Sequence, residues 1–254
     1  MHSSGETGVC IDLRRYDAVI LDMDGVVTDS ARIHEAAWKE LFDDFLGSRE
    51  PGAGEDLAPF TESDYEHFVD GKPRTSGVAD FLASRGISLP WGAPSDPPDA
   101  VTVCGLGDRK DRLFLARIAR DGVPAFASTV ALVRRLRVAG IGTAIFSASR
   151  NCAQVLAAAG IGDLFAVRVD GVVAESLGLA GKPDPAMLVE AARRLGADPE
   201  RTVVVEDAEA GVAAGRRGGF GLVIGVDRVG HADRLAAGGA DLVVADLAAV
   251  EIHQ

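Results

Sequence analysis

From Ala18 to Leu21, and again beyond Pro124, short apolar runs alternate with stretches of helical spacing. Ala18-Val19-Ile20-Leu21, Thr143-Ala144-Ile145-Phe146, Thr202-Val203-Val204-Val205, Leu222-Val223-Ile224 and Leu242-Val243-Val244 read as buried strands, with Val167-Arg168-Val169 as a shorter one. The intervals predict helices. One runs through Leu132, Val133 and Leu136, capped by Ser128 or Thr129 and stopped at Gly140, and another covers Asn151 to Ala159. A third has Pro183 and Pro185 in its first turn and ends at Gly196, and a fourth spans Ala208 to Arg217. Apolar strands alternating with helices predict an α/β fold with a parallel sheet covered on both faces, whose ligands sit at the carboxyl ends of the strands.

Residues 31–123 have a different texture. Ile33, Ala37, Trp38, Leu41, Phe42 and Phe45 recur at helical spacing after Asp29 or Ser30 as cap, Tyr65–Val69 and Val78–Ser84 read as short helices flanking residues 70–77, and Leu106–Arg120 is helical again. Segments 47–62 and 90–98 are loops by their Gly and Pro content. With little strand signal in it, the block predicts a helical domain over 31–123, inserted into an α/β core made of 1–30 and 124–254.

Charge and cysteine content narrow the partners. A net charge of −12 over 254 residues argues against nucleic acid or an anionic membrane surface. A phosphate ligand needs only local cations, and the chain has just four lysines, Lys39, Lys72, Lys110 and Lys182. Cys10, Cys104 and Cys152 form no C-x-x-C pair, which fits reduced thiols and no zinc site. Residues 1–16 lack an apolar signal-peptide region, and no apolar run is long enough to span a bilayer, so a cytoplasmic protein is expected.

The chemistry gathers at the strand ends. Asp22-Met23-Asp24-Gly25 follows the first strand, Ser147, Ser149, Arg150 and Asn151 follow the second, Lys182 precedes the Pro-rich helix start, and Glu206-Asp207 follow the strongest strand. Asp22, Asp24 and Asp207 suit a hard cation such as Mg²⁺, and Ser147 with Lys182 suit phosphate oxygens. Taken singly, D-x-D-G is also an Asp-rich turn, Glu206-Asp207 an acid pair favoured at a helix start, and Lys182 a solvated loop residue. His34 and Trp38, four apart on one helix face, also read as a half-exposed residue beside a core tryptophan. Asn151 opens a helix whose free amides favour an anion.

The segments D22-M-D-G-V-V-T-D-S30, F146-S-A-S-R-N151, G181-K-P-D-P185 and V205-E-D-A-E-A-G211 resemble, in order, the four motifs of the haloacid dehalogenase superfamily. The insert after the first motif is similar to the cap of that superfamily's β-phosphoglucomutase branch, with His34 and Trp38 matching its first cap helix and Gly71 with Arg74 its phosphate-gripping segment. The resemblance implies a Rossmann-like core and a helical cap. It implies that Asp22 is a nucleophile forming an aspartyl-phosphate, that Asp24 is the general acid and base, and that His34 couples cap closure to Asp24. Ser147 and Lys182 would serve the transferring phosphate, and Arg74, Ser149, Arg150 and Asn151 the distal one. Asp22, Asp24, Glu206 and Asp207 would hold Mg²⁺.

The implied reaction takes β-D-glucose 1-phosphate to D-glucose 6-phosphate through β-D-glucose 1,6-bisphosphate, in a monomer whose partner is a small sugar phosphate. Its rivals are a phosphatase on the same scaffold and a non-catalytic sugar-phosphate binder. Gly77 and Ala208 stand where the family pattern has hydroxyls, the loops 47–62 and 90–98 are long for such a cap, and Lys110 reads equally as a cleft residue or a solvated helix end.

Overall fold

In the computed structural model, which describes residues 9–69 and 72–253, the chain divides into two units. One comprises the residues up to Asp29 and from Val123 onward, the other Ser30–Gly122.

The first unit carries β1 (Val9–Asp12) and β2 (Ala18–Asp22), the latter buried along its whole length. The second unit follows in the chain with α1 (Ala31–Gly47), α2 (Glu62–Asp64), a π-helical turn at Tyr65–Val69, α3 (Arg74–Ser84) and α4 (Val103–Asp121). The first unit resumes with α5 (Ala127–Val138), β3 (Gly142–Phe146), α6 (Cys152–Ala158), β4 (Val167–Val169), α7 (Gly171–Leu177) and α8 (Ala186–Leu195). It ends with β5 (Thr202–Glu206), α9 (Glu209–Arg217), β6 (Leu222–Val226), α10 (Ala232–Gly238), β7 (Leu242–Val244) and β8 (Val250–His253).

Six strands form one parallel sheet in the order β4-β3-β2-β5-β6-β7, a doubly wound, Rossmann-like arrangement. The strand order reverses between β2 and β5, and such switch points open a crevice at the carboxyl ends. Leu21 is in register with Val205, so the next residues, Asp22 and Glu206, arrive at the same level beside that crevice. Ile20, Phe146, Val204, Leu188, Val212 and Val223 belong to one apolar cluster that holds this sheet against its helices. β1 and β8 pair only with each other, in parallel.

The second unit has its own core, in which Trp38, Phe42, Phe45, Phe60 and Phe81 pack with Val78, Leu82 and Leu106. No strand occurs in it among the described residues. α3 begins at Arg74, four residues before the sequence expectation, because Pro73 sits at its N-cap. α4 begins at Val103, where Thr102 accepts from the Gly105 amide at 3.0 Å. The long loop 47–62 is pinned by ion pairs of Arg49 with Glu55 at 2.8 Å and of Arg85 with Asp56 at 2.6 Å. A groove of about 360 Å³ lined by Leu82, Ile87, Leu89, Trp91 and Val103 is apolar and holds no titratable group. Among the described residues no helix is long and apolar enough to cross a membrane.

Candidate active site

Asp22, Glu206 and Asp207 converge at the switch point, each offering a carboxylate oxygen within 4.8 Å of the others. Asp22 and Glu206 are buried, and Asp207 is half-buried. Lys182, from the segment before α8, bridges Asp22 Oδ1 and Glu206 Oε1, and its ammonium lies 4.3 Å from the centre of the Phe146 ring. The second Glu206 oxygen accepts from the Ala208 amide at 2.6 Å. One ammonium therefore faces three carboxylates. Burial, with repulsion from Glu206 and Asp24 and against the opposing pull of Lys182, pushes Asp22 well above the usual carboxylate range. Asp207 is raised in the same way by burial, Glu206 and Asp22. Burial works against the charge of Lys182, but Asp22 and Glu206 outweigh it and hold its pKa above the ordinary lysine value. A hard divalent cation is the ligand that relieves such an excess of oxygen-borne negative charge, so the donor set fits one.

Two glycines make room for these carboxylates. Gly25 has φ +81°, and a Cβ there would overlap the Asp207 carboxylate. A Cβ at Gly211 would overlap that of Glu206.

The Asp24 carboxylate is not part of this three-carboxylate group, though its charge still acts on Asp22. Asp24 lies two residues beyond Asp22, on the turn after β2, where its backbone bridges Thr28.

After β3 the chain makes two successive serine turns. Ser147 Oγ accepts from the Ser149 amide at 3.1 Å, and Ser149 Oγ from the Asn151 amide at 3.1 Å. Because the buried Ser147 oxygen is already an acceptor, its hydroxyl hydrogen is left to donate. Asn151 is buried at the start of α6. Arg150, expected at the distal phosphate, pairs with Glu175 on the surface. Ser128 and Thr129 do not cap α5. Their hydroxyls reach Asp246 at 3.0 Å and the Val26 carbonyl at 2.7 Å.

In the helical unit, His34 on α1 and Lys110 on α4 form a pair that spacing along the chain could not reveal. Lys110 Nζ is 2.6 Å from His34 Nδ1, and the imidazole stacks on Phe114 with ring centres 4.0 Å apart. Lysine has only hydrogens to give, so His34 Nδ1 is the acceptor and the ring carries its hydrogen on Nε2. Burial first, and the Lys110 charge second, hold the His34 pKa well below the ordinary histidine value. His34 is thus a neutral hydrogen-bond donor through Nε2. Trp38 is buried and stacks on Phe42 at 5.3 Å, with Lys110 5.0 Å from its ring. It is a core residue, because the apolar face of α1 is the face that packs. Arg74, at the start of α3, pairs with Asp111 at 2.9 Å. Gly71 lies outside the described residues.

The haloacid dehalogenase-like hydrolase family model matches residues 16–219. The chain belongs to this family. It is 49% identical over 242 residues to an uncharacterized glycosyl hydrolase of Mycobacterium tuberculosis, a match that takes in 95% of the chain but spans only 18% of that relative's length. It is 43% identical over 235 residues to a β-phosphoglucomutase of Mycobacterium bovis, covering 91% of the chain and 90% of the relative. The β-phosphoglucomutase structure from Clostridium difficile superposes with a TM-score of 0.69 over 92% of both chains at 23% identity, which is a likeness of fold.

For a haloacid dehalogenase-like protein the expected strand-end groups are mostly gathered here: Asp22, Lys182, Glu206 and Asp207 meet directly. What the sequence did not reveal is the anchoring of these groups.

Proposed function

We propose that the chain is a Mg²⁺-dependent phosphomutase that converts β-D-glucose 1-phosphate to D-glucose 6-phosphate. The observation that carries this reading is 43% identity along nine-tenths of both chains to a protein named β-phosphoglucomutase. The acidic cluster supports it as a seat for the cation, with Asp22 and Asp207 as holders and Glu206 as the anchor of Lys182. Mg²⁺, when bound there, offsets the repulsion between the carboxylates and an incoming phosphate.

Lys182 engages Asp22 through Oδ1, leaving Oδ2 to attack phosphorus. As the new P–O bond forms, the bond from phosphorus to the sugar oxygen breaks, and Asp24 gives that oxygen a proton. With β-D-glucose 1,6-bisphosphate as the donor, that step releases D-glucose 6-phosphate and leaves Asp22 phosphorylated. The 6-hydroxyl of an incoming β-D-glucose 1-phosphate then gives its proton to Asp24 and takes the phosphoryl group as the bond from phosphorus to Asp22 breaks, which re-forms the bisphosphate. Ser147 and Lys182 donate to the transferring group and Lys182 also keeps Asp22 oriented. Arg74 holds the distal phosphate, exchanging Asp111 for it. A glycoside phosphorylase is the class of enzyme that would supply β-glucose 1-phosphate, and the match to part of a much longer protein named as a glycosyl hydrolase fits that order.

The alternative acceptor is water, which would make the chain a sugar-phosphate phosphatase, in keeping with the family's description as hydrolases. His34 favours the sugar in this reading, because a neutral donor that engages the acid/base step only when sugar is bound would keep water from competing. His34→Ala is expected to slow isomerisation more than it slows release of free phosphate; an unchanged ratio of the two rates in a folded variant would remove His34 from the gating. Arg74→Ala is expected to raise the KM for the bisphosphate by an amount equivalent to about 1.5–3 kcal/mol, the worth of a charge-assisted contact. An unaltered KM would place Arg74 outside the site.

A further inference from the structure

Arg228 follows β6, outside every motif that carries the family resemblance. Its Nε donates to the Gly25 carbonyl at 2.8 Å and its Nη1 pairs with Asp246 at 2.9 Å. The guanidinium carbon stands 3.5 Å from the centre of the Phe126 ring. The same Asp246 oxygen also accepts from Ser128 Oγ at 3.0 Å. At the root of the side chain, Asp227 Oδ1 accepts the amides of Val229, Gly230 and His231 at 3.1, 2.7 and 2.8 Å, which pins the loop. A planar guanidinium stacked on a ring, paired with a carboxylate and held at its base has one orientation.

What Arg228 holds is the turn that carries Asp24. The Gly25 amide donates to the Thr28 carbonyl at 2.8 Å and fixes the peptide after Asp24, while Arg228 fixes the following peptide by its carbonyl. Thr129 Oγ1 takes the Val26 carbonyl and the Phe126 amide takes that of Val27, at 3.0 Å. Gly25 is also packed against the Asp207 carboxylate, so the turn cannot relax in that direction. Asp24 therefore lies between a buried strand and two peptide planes clamped from outside.

We propose that Arg228 is a positioning residue that holds the Asp22–Thr28 turn so that the Asp24 carboxyl is aimed at the leaving oxygen of a phosphate monoester. The proposal rests on the reading of Asp22 as nucleophile and Asp24 as acid. A positioning loss of this kind is selective, because a departing sugar oxygen needs a proton and p-nitrophenolate does not.

The test compares the rate of Asp22 phosphorylation by β-D-glucose 1,6-bisphosphate and by p-nitrophenyl phosphate in the wild type, Arg228→Met, Arg228→Lys, Asp246→Asn and Asp24→Asn. Arg228→Met is expected to slow the bisphosphate reaction by about 10- to 100-fold, part of the 10²–10⁴ that a general acid supplies, and the p-nitrophenyl reaction by less than about 2-fold. Arg228→Lys should fall between, since one ammonium cannot reproduce the fork and the stack. Asp246→Asn should show the same selectivity at smaller size, and it keeps the test valid if Arg228→Met folds poorly. Equal slowing of both donors, or of neither, overturns the proposal. Selectivity in Asp24→Asn without selectivity in the Arg228 and Asp246 variants overturns it alone; no selectivity in Asp24→Asn overturns the acid role of Asp24 and the proposal with it.

Discussion

Asp22→Asn is expected to abolish phosphoenzyme formation and lower turnover by about 10⁴-fold or more, the scale of nucleophile deletions. The amide keeps the shape of the carboxylate but offers no anionic oxygen to phosphorus. The fold should survive. Asp22 is buried beside Glu206 and near Asp207, and its folded-state pKa lies above the ordinary value, so the folded protein binds its proton more tightly than the unfolded chain does. Its contribution to stability is then full at low pH and is lost as pH rises through the folded pKa. At neutral pH without divalent cations, the neutral asparagine should unfold at the same temperature as the wild type or higher. Phosphoenzyme trapped by acid quench in this variant would remove Asp22 as the nucleophile.

Lys182→Met has the opposite effect on stability. Lys182 is the one cation in contact with Asp22 and Glu206 among the described residues, with 17% of its side chain exposed against 6% and 0% for its partners. Removing it leaves buried carboxylates facing each other. Breaking a buried pair in this way costs about 3–5 kcal/mol. Chemical denaturation in the presence of a chelator should show that loss, and Mg²⁺ should restore more stability in the variant than in the wild type, because a cation then supplies the missing charge. Turnover should stay near zero even with Mg²⁺, since no ammonium remains to orient Asp22 or meet the phosphate. A denaturation midpoint equal to that of the wild type would show that the Lys182 bridge carries no stabilising role.

The sheet was legible because its strands are apolar runs bounded by turn signals. β2 and β5, the two that frame the switch point, have the plainest pattern. β1 and β8 escaped because each is a four-residue strand whose only partner lies at the other end of the chain. α7 was hidden by Gly171-Val172-Val173 in its first turn, a poor helix start by composition, which Asp170 rescues by accepting the amides of Val172 and Val173. At the site, Asp22, Glu206 and Asp207 were legible because each ends or follows a strand whose position the pattern sets. The contacts of His34 with Lys110 and of Arg228 with Gly25 were not, because they join residues 76 and 203 positions apart and no local periodicity encodes them. The ion pair of Arg74 with Asp111 was likewise not legible, because it joins residues whose approach the fold sets.

The central claim is that a sugar hydroxyl, rather than water, accepts the phosphoryl group from Asp22. The most direct measurement incubates the protein with Mg²⁺, β-D-glucose 1-phosphate and a trace of β-D-glucose 1,6-bisphosphate, and follows glucose 6-phosphate and free phosphate together. The account predicts glucose 6-phosphate forming far faster than free phosphate, with the rate rising on addition of the bisphosphate. Free phosphate as the dominant product would contradict it and make the chain a phosphatase.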